Sequence, residues 1–313
     1  MLTADMHCDT ISELYKRRQK GEQDSLLSNH LQVDLYKLKR GGYLLQNFAV
    51  FTDIGEEEYP YRAAKNQIAL FREEMKKNAL WISQAKSVQE IEENQKKGRI
   101  SAVLTLEEGE ICEGDLKKLE EFYKEGVRMM TFTWNYANSL NQNDGLTETG
   151  IAFLEKMEEL GIIPDVSHLP DKGFYDVCRY AKAPFAASHS NARELCSHKR
   201  NLTDDMIRKI AESGGIIGIN YYGLFLENRL LQNDMYYSSV SRIADHIQYM
   251  ICIGGIDCVG LGSDFDGFCG VCEMPDCSKI EFLEAELRKR GLGTSEIEKI
   301  FYKNLLRVYK DCW

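Results

Sequence analysis

Several things are missing from this 313-residue sequence. No run of about 18 apolar residues occurs, so no membrane-spanning helix is expected. The opening residues, MLTADMHCDTISELYKRRQKGEQ, show no basic start followed by an apolar stretch. No secretory leader is expected from them, and a cytoplasmic chain is the natural reading. Positive charge is in deficit. The 39 Lys and Arg against 49 Asp and Glu leave a formal charge of -10, which argues against nucleic acid or an anionic membrane as the main partner. There is no Pro- or Ser-rich linker and no internal repeat, so residues 1–313 read as one domain. No GxGxxG follows the first apolar run, which disfavours a doubly wound dinucleotide fold. Cysteine is not scarce, at ten, but the ten are scattered. Without a leader they read as free thiols, with Cys178, Cys252 and Cys258 buried in apolar runs.

What is present is a regular alternation. Short apolar runs occur at 2–9, 43–51, 100–107, 127–134, 162–168, 183–190, 215–222 and 258–265. Between most of them lie stretches whose apolar residues recur at three and four, the period of an amphipathic helix. These are 63–79, 115–126, 150–161, 172–183, 203–215 and 240–255, with Thr203 and Ser239 as candidate N-caps. Two further helical stretches close the chain. Strand and helix alternating eight times, with strands apolar on both faces, imply a parallel sheet, and eight strands close a (β/α)8 barrel. The expected fold is a single TIM-type barrel with additional C-terminal helices.

The polar residues then fall into a pattern. His7 and Asp9 close the first run, Glu107 the third, His168 the fifth, His189 the sixth and Asp264 the eighth. On an extended segment residues i and i+2 face the same way, so His7 and Asp9 can serve one ion. In a barrel all eight C-terminal ends share one face, the face that carries active sites. Singly, each residue has a plainer explanation: a histidine satisfied in the core, an aspartate capping the next helix. Together they place three of the six histidines and three carboxylates at one mouth. The other three, His30, His198 and His246, fall in loop or helix and read as surface or structural. Imidazole with carboxylate oxygen suits zinc, with manganese and iron(II) as alternatives. The donors exceed what one catalytic zinc needs; two ions bridged by Glu107 would use them.

The motifs HCD (7–9), LEEG (106–109), DVSH (165–168), ASHSNAR (187–193), HKRNLTDD (198–205) and GSDFDG (262–267) resemble, in order and across nearly the whole chain, the membrane (renal) dipeptidase family of zinc peptidases. The resemblance implies two zinc ions per chain, one held by His7 and Asp9, the other by His168 and His189, with Glu107 between them. It implies Arg200 as the group that binds the substrate carboxylate, a task its bidentate fork suits. It implies Asp264 as the acid/base and leaves Asp266 as a loop brace. In one place the sequence departs from the family. Where a substrate-contacting histidine is usual after the fourth strand, the chain reads TFTWNYANS, with Trp134 in that place and Asn135 beside it as a substitute hydrogen-bonding group. Tryptophan offers one N–H donor and no base.

The expected activity is hydrolysis of the peptide bond of a dipeptide with a free C-terminal carboxylate, a C-terminal D-residue included in the range to be tested. The rival expectations are a metal-dependent amidohydrolase acting on another small amide or a lactone, and a metal-binding barrel whose activity is reduced by Trp134. A homodimer is compatible with the family. In CGVCEMPDC, Cys269, Cys272 and Cys277 read as free thiols on a loop over the mouth, with a second metal or redox site as the alternative.

Overall fold

The computed structural model describes residues 1–231 and 235–313. Eight parallel strands close on themselves: β1 (Thr3–Asp5), β2 (Tyr43–Phe51), β3 (Ile100–Glu107), β4 (Val127–Thr131), β5 (Ile163–Asp165), β6 (Ala186–Ala187), β7 (Ile216–Ile219) and β8 (Val259–Leu261). Each pairs with the next in chain order. The ring closes where Asp5 of β1 lies opposite Leu261 of β8. This is the (β/α)8 barrel that the alternation implies, and each of the eight apolar runs contains one of its strands.

The strands read as continuous apolar runs because both of their faces are covered. Inside, Ala4, Leu45, Val103, Met129, Ile163, Ala186 and Ile216, from β1 to β7 in turn, belong to a common core. β8 contributes Gly260 instead. A Cβ there would stand 2.8 Å from Ile216 Cδ1 and 3.2 Å from Met6 Cε, so the space is already filled by its neighbours. The final helix, Asn304–Cys312, joins this core through Leu305, Val308 and Tyr309, and the Tyr309 hydroxyl donates to Asn47 Oδ1 at 2.6 Å. Outside, a larger apolar cluster binds the strands to the surrounding helices.

Helices Pro60–Lys77, Leu116–Glu125, Glu148–Leu160, Asp171–Tyr180, Asp204–Glu212 and Val240–Gly254 stand where the three-and-four spacing puts them. Thr203 and Ser239 cap two of them, accepting from Met206 and Arg242 N–H. The first of the two C-terminal helices is Glu281–Lys289; the second begins at Thr294–Glu298 and runs through a π-helical stretch, Lys299–Lys303, into Asn304–Cys312. Among the described residues no helix is long and apolar enough to cross a membrane. One expectation fails locally: Cys252, read as a buried thiol, is exposed, because its position on Val240–Gly254 faces away from the core, while Cys258 is buried and Cys178 half-buried.

Candidate metal centre

The C-terminal ends of the strands are held in unusual backbone. Glu108, His168, Asp264 and Asp266 all have positive φ, at 83°, 69°, 62° and 69°. Non-glycine residues in this region cost of order 1–3 kcal/mol each and persist only where surrounding contacts over-determine them. Four of them gather just beyond β3, β5 and β8, where the chain turns sharply: His168 and Asp264 aim into the cluster, and Glu108 and Asp266 brace the loops beside it.

Asp9 occupies the N-cap position of helix Thr10–Gln19 yet makes no capping bond. Its carboxylate turns to His7 instead: Asp9 Oδ2 lies 3.3 Å from His7 Nε2. The same nitrogen is 3.2 Å from Glu107 Oε2 and 3.9 Å from Asp264 Oδ1. The other oxygen of Glu107, Oε1, is 3.1 Å from His168 Nε2 and 3.7 Å from His189 Nε2. These two nitrogens are 2.9 Å apart. All six side chains predicted for the cluster therefore converge: Glu107 turns Oε2 to His7 and Oε1 to the His168–His189 pair, and the His7 and His189 rings themselves lie 4.0 Å apart.

Several contacts that shape this cluster carry no sequence signal. Asn220, just past β7, donates to Asp264 Oδ2 at 2.9 Å and leaves Oδ1 facing His7. Asn135 Oδ1 lies 3.3 Å from His168 Nδ1, which puts this residue on an imidazole as well as on the cavity. Glu108 does not join the cluster. It accepts the Trp134 N–H at 2.8 Å and a bond from the Asn138 side chain, so it holds the loop that carries Trp134. Asp266 accepts from Thr10 Oγ1 and the Gln32 N–H, both at 2.6 Å, which is the bracing arrangement. His198, read as surface or structural, is half-buried at the cavity wall, with Nδ1 accepting the Arg200 N–H at 3.2 Å. His246 is structural: its ring is wholly buried between the Ala192 N–H and the Leu226 carbonyl.

A cavity of about 520 Å³ opens above the cluster. Phe51 and Trp134 form one wall, with ring centroids 5.0 Å apart, and Tyr222 and Phe225 stand on another. Arg200 lines it as well. It is 9% exposed, its Nη2 donates to the His189 carbonyl at 3.2 Å, and its Nε has no partner. Among the described residues it makes no ion pair. The carboxylates of Asp264 and Glu107 act on this guanidinium only at longer range, so its direct hydrogen-bonding capacity toward the cavity is largely unused.

The donor set fits a metal. Three largely buried carboxylates surround His7 Nε2 at the floor of the cavity. Burial disfavours the protonated ring of His7, but Glu107 and Asp9 outweigh it and hold its pKa well above the ordinary histidine range. Burial and, next, the Arg200 charge push His168 down to about 4, and burial with the His7 charge also holds His189 well below the ordinary histidine range. Neutral imidazole is the ligating form; His168 and His189 are already in it, whereas His7 would give up its proton on binding a metal. Asp9 Oδ1 is buried with no partner. A Cβ on Gly267 would fall 2.3 Å from Asp9 Oδ2 and 2.4 Å from Asp264 Oδ1, so the chain leaves no side chain there to crowd the carboxylates. Two sets of ligand atoms, His7–Glu107–His189 and His7–Asp9–Asp264, are each compact enough for one ion. Cys269, Cys272 and Cys277 form no such set among the described residues and are free thiols.

A carboxylate-and-imidazole cluster at the C-terminal mouth of a parallel barrel defines the class of metal-dependent hydrolases built on this fold. Within that class the chain belongs to the membrane dipeptidase family, peptidase family M19, whose sequence profile matches residues 1–312. It is 33% identical over 259 residues, 79% of this chain and 95% of the relative, to an uncharacterized protein of Klebsiella pneumoniae encoded in the pqqA 5′ region. It is 30% identical over 298 residues, 90% of this chain and 70% of the relative, to a dipeptidase of Aspergillus oryzae. Among solved structures, a metallopeptidase of the same family named dipeptidase AC superposes with a TM-score of 0.91 at 26% identity, covering 100% of this chain and 99% of that one. A metallopeptidase of Rhodobacter sphaeroides, bound to a phosphinate mimic of L-Ala-D-Ala, shares the fold with a TM-score of 0.88 at 24% identity over 100% of this chain and 99% of that one.

Proposed function

We propose that this chain is a binuclear zinc dipeptidase that cleaves the peptide bond of dipeptides bearing a free C-terminal carboxylate, D-residues at the C-terminus included. One observation carries the reading: Glu107 turns one oxygen to His7 and the other to His168 and His189, the disposition of a carboxylate that bridges two ions. His7 and Asp9 would hold one ion, and His168 and His189 the other. Bound zinc supplies Lewis acidity, which polarises a carbonyl oxygen and makes water nucleophilic near neutral pH.

The side chains do the rest. Arg200 binds the C-terminal carboxylate in the cavity and fixes the distance from that carboxylate to the scissile carbonyl, which restricts the substrate to two residues. Asp264 takes the proton of the attacking water and returns it to the leaving amine. Burial first, with Asp9 and Glu107 adding to it against His7, raises its pKa to about 7 in the metal-free protein. Asn220 fixes Oδ2 so that Oδ1 is the oxygen presented to the reaction. Phe51 and Trp134 exclude water and give the substrate side chain an apolar wall. The test is a panel of L,L- and L,D-dipeptides, N-acyl amino acids and lactones assayed with the zinc-loaded protein. Hydrolysis confined to dipeptides supports the reading. Turnover of lactones or amides lacking a carboxylate in preference to dipeptides would transfer it to a different amidohydrolase, and stoichiometric zinc with no turnover at all would leave a metal-binding barrel.

A further inference from the structure

The proposed centre uses one nitrogen of His189, and the other nitrogen has a partner of its own. His189 Nδ1 lies 2.7 Å from Ser188 Oγ. Ser188 Oγ in turn makes a short hydrogen bond to Asp165 Oδ2. The remaining oxygen of Asp165, Oδ1, accepts the N–H groups of Ser167 and Ser188, each at 2.9 Å. Asp165 ends β5 and Ser188 follows β6, two strands paired through Asp165 and Ala186. All three side chains are buried. Among the described residues His168 has nothing comparable: its Nδ1 meets only the amide oxygen of Asn135, an exposed rim residue.

The hydrogens can be counted. As a carboxylate, Asp165 has none to give, so the Ser188 hydroxyl donates to Oδ2. With its proton committed there, Ser188 Oγ can only accept from His189 Nδ1. The ring hydrogen then sits on Nδ1, and Nε2 carries the lone pair. We propose that Asp165 and Ser188 are positioning residues that select the tautomer of His189 and so keep Nε2 open to a metal ion. This inference rests on the reading of His189 as a zinc ligand. Partners of this kind behind metal-bound histidines commonly tune affinity.

The relay has a testable asymmetry. In D165N the amide oxygen still accepts the two backbone N–H groups, and the amide nitrogen takes the place of Oδ2 and donates to Ser188 Oγ. The hydroxyl is then left with His189 Nδ1 at 2.7 Å and the Ser167 Oγ at 3.4 Å as acceptors; the shorter contact turns its hydrogen toward Nδ1, which moves the ring hydrogen to Nε2 and masks the ligand. S188A only deletes a partner and forces neither tautomer. The double variant D165N/S188A removes the reversed hydroxyl and releases the ring. A purely structural brace predicts the reverse order, with near-isosteric D165N the mildest change and the double variant the worst.

Zinc titration of the full-length protein against a chromophoric chelator separates these outcomes. The expected result is two sites in the parent and one in H189A. In D165N one of the two sites should weaken by about 10–100-fold, in S188A by less, and the double variant should return to the S188A value. D165N at parent affinity, or a double variant no tighter than D165N, overturns the relay while H189A still shows the ligand. H189A retaining both zinc ions overturns the ligand reading and the relay with it. If D165N does not fold, imidazole ¹⁵N spectra of the metal-free parent decide: a hydrogen on His189 Nδ1 supports the relay, and one on Nε2 overturns it.

Discussion

Asp264 shows how much a single side chain is asked to do. It gives one oxygen to Asn220 and turns the other toward His7. The acid/base role predicts that D264N keeps the parent's zinc content, measured by elemental analysis, while dipeptide turnover falls by about 10²–10⁴-fold. Parent-level turnover in D264N would remove Asp264 from the mechanism. Arg200 makes a second prediction at this scale. R200M should lower dipeptide kcat/KM by about 30-fold or more, the effect of removing one partner of a buried charge pair at roughly 2 kcal/mol. The same change should barely alter the slow hydrolysis of an amide lacking a carboxylate. Single residues were unequally legible. His7, Asp9, Glu107, His168, His189 and Asp264 stood out because each ends an apolar strand with a metal-ligating side chain. Asn220, Ser188 and Asp165 did not, since their roles depend on partners across neighbouring strands, and no local spacing encodes those. His198 read only as surface or structural, and its place on the cavity wall was not legible, because that depends on how its loop folds toward the mouth.

At the scale of elements, loops hold the cluster in place, and two of them can be probed. The loop after β8 passes so close to Asp9 and Asp264 that Gly267 has no room for a methyl group. G267A should therefore displace those carboxylates and weaken zinc binding by about tenfold, read by chelator competition. The loop after β6, which carries Arg200, is tied through the Ala192 N–H to His246 on helix Val240–Gly254. Burial lowers the pKa of His246 to about 4. A histidine lowered from 6.5 on folding favours the folded state fully above pH 6.5, and that advantage is lost as pH falls toward 4. Over that window the parent should lose about 3 kcal/mol relative to H246Q, which does not titrate. Parallel urea denaturation curves across the window, with no divergence between the two proteins, would contradict the assignment. The elements themselves were legible where burial imposes a period. The polar helix Val88–Lys96 buries only Ile91 and Asn94, and the three-residue strand Ile82–Gln84 merely extends the sheet outside β3. Neither leaves a pattern strong enough to read.

For the whole molecule, the barrel gathers residues from position 7 to position 264 into one buried polar cluster, and that cluster carries more negative charge than its imidazoles offset. Metal binding should therefore stabilise the fold as well as equip it. With free zinc about a thousandfold above Kd, linkage adds about 4 kcal/mol, so chelation should lower Tm by roughly 5–10 °C. An unchanged melting curve after chelation would mean that the cluster is satisfied without metal. The closed barrel was readable from eight buried runs and their helical spacers. Its C-terminal plug was not, because Tyr309 reaching Asn47 joins residues 262 apart.

The most direct measurement is an anomalous difference map at the zinc edge from crystals of the zinc-loaded protein. A bridged pair predicts two peaks on either side of the Glu107 carboxylate, one against His7 and Asp9 and the other against His168 and His189. A single peak, or zinc bound away from Glu107, would contradict it.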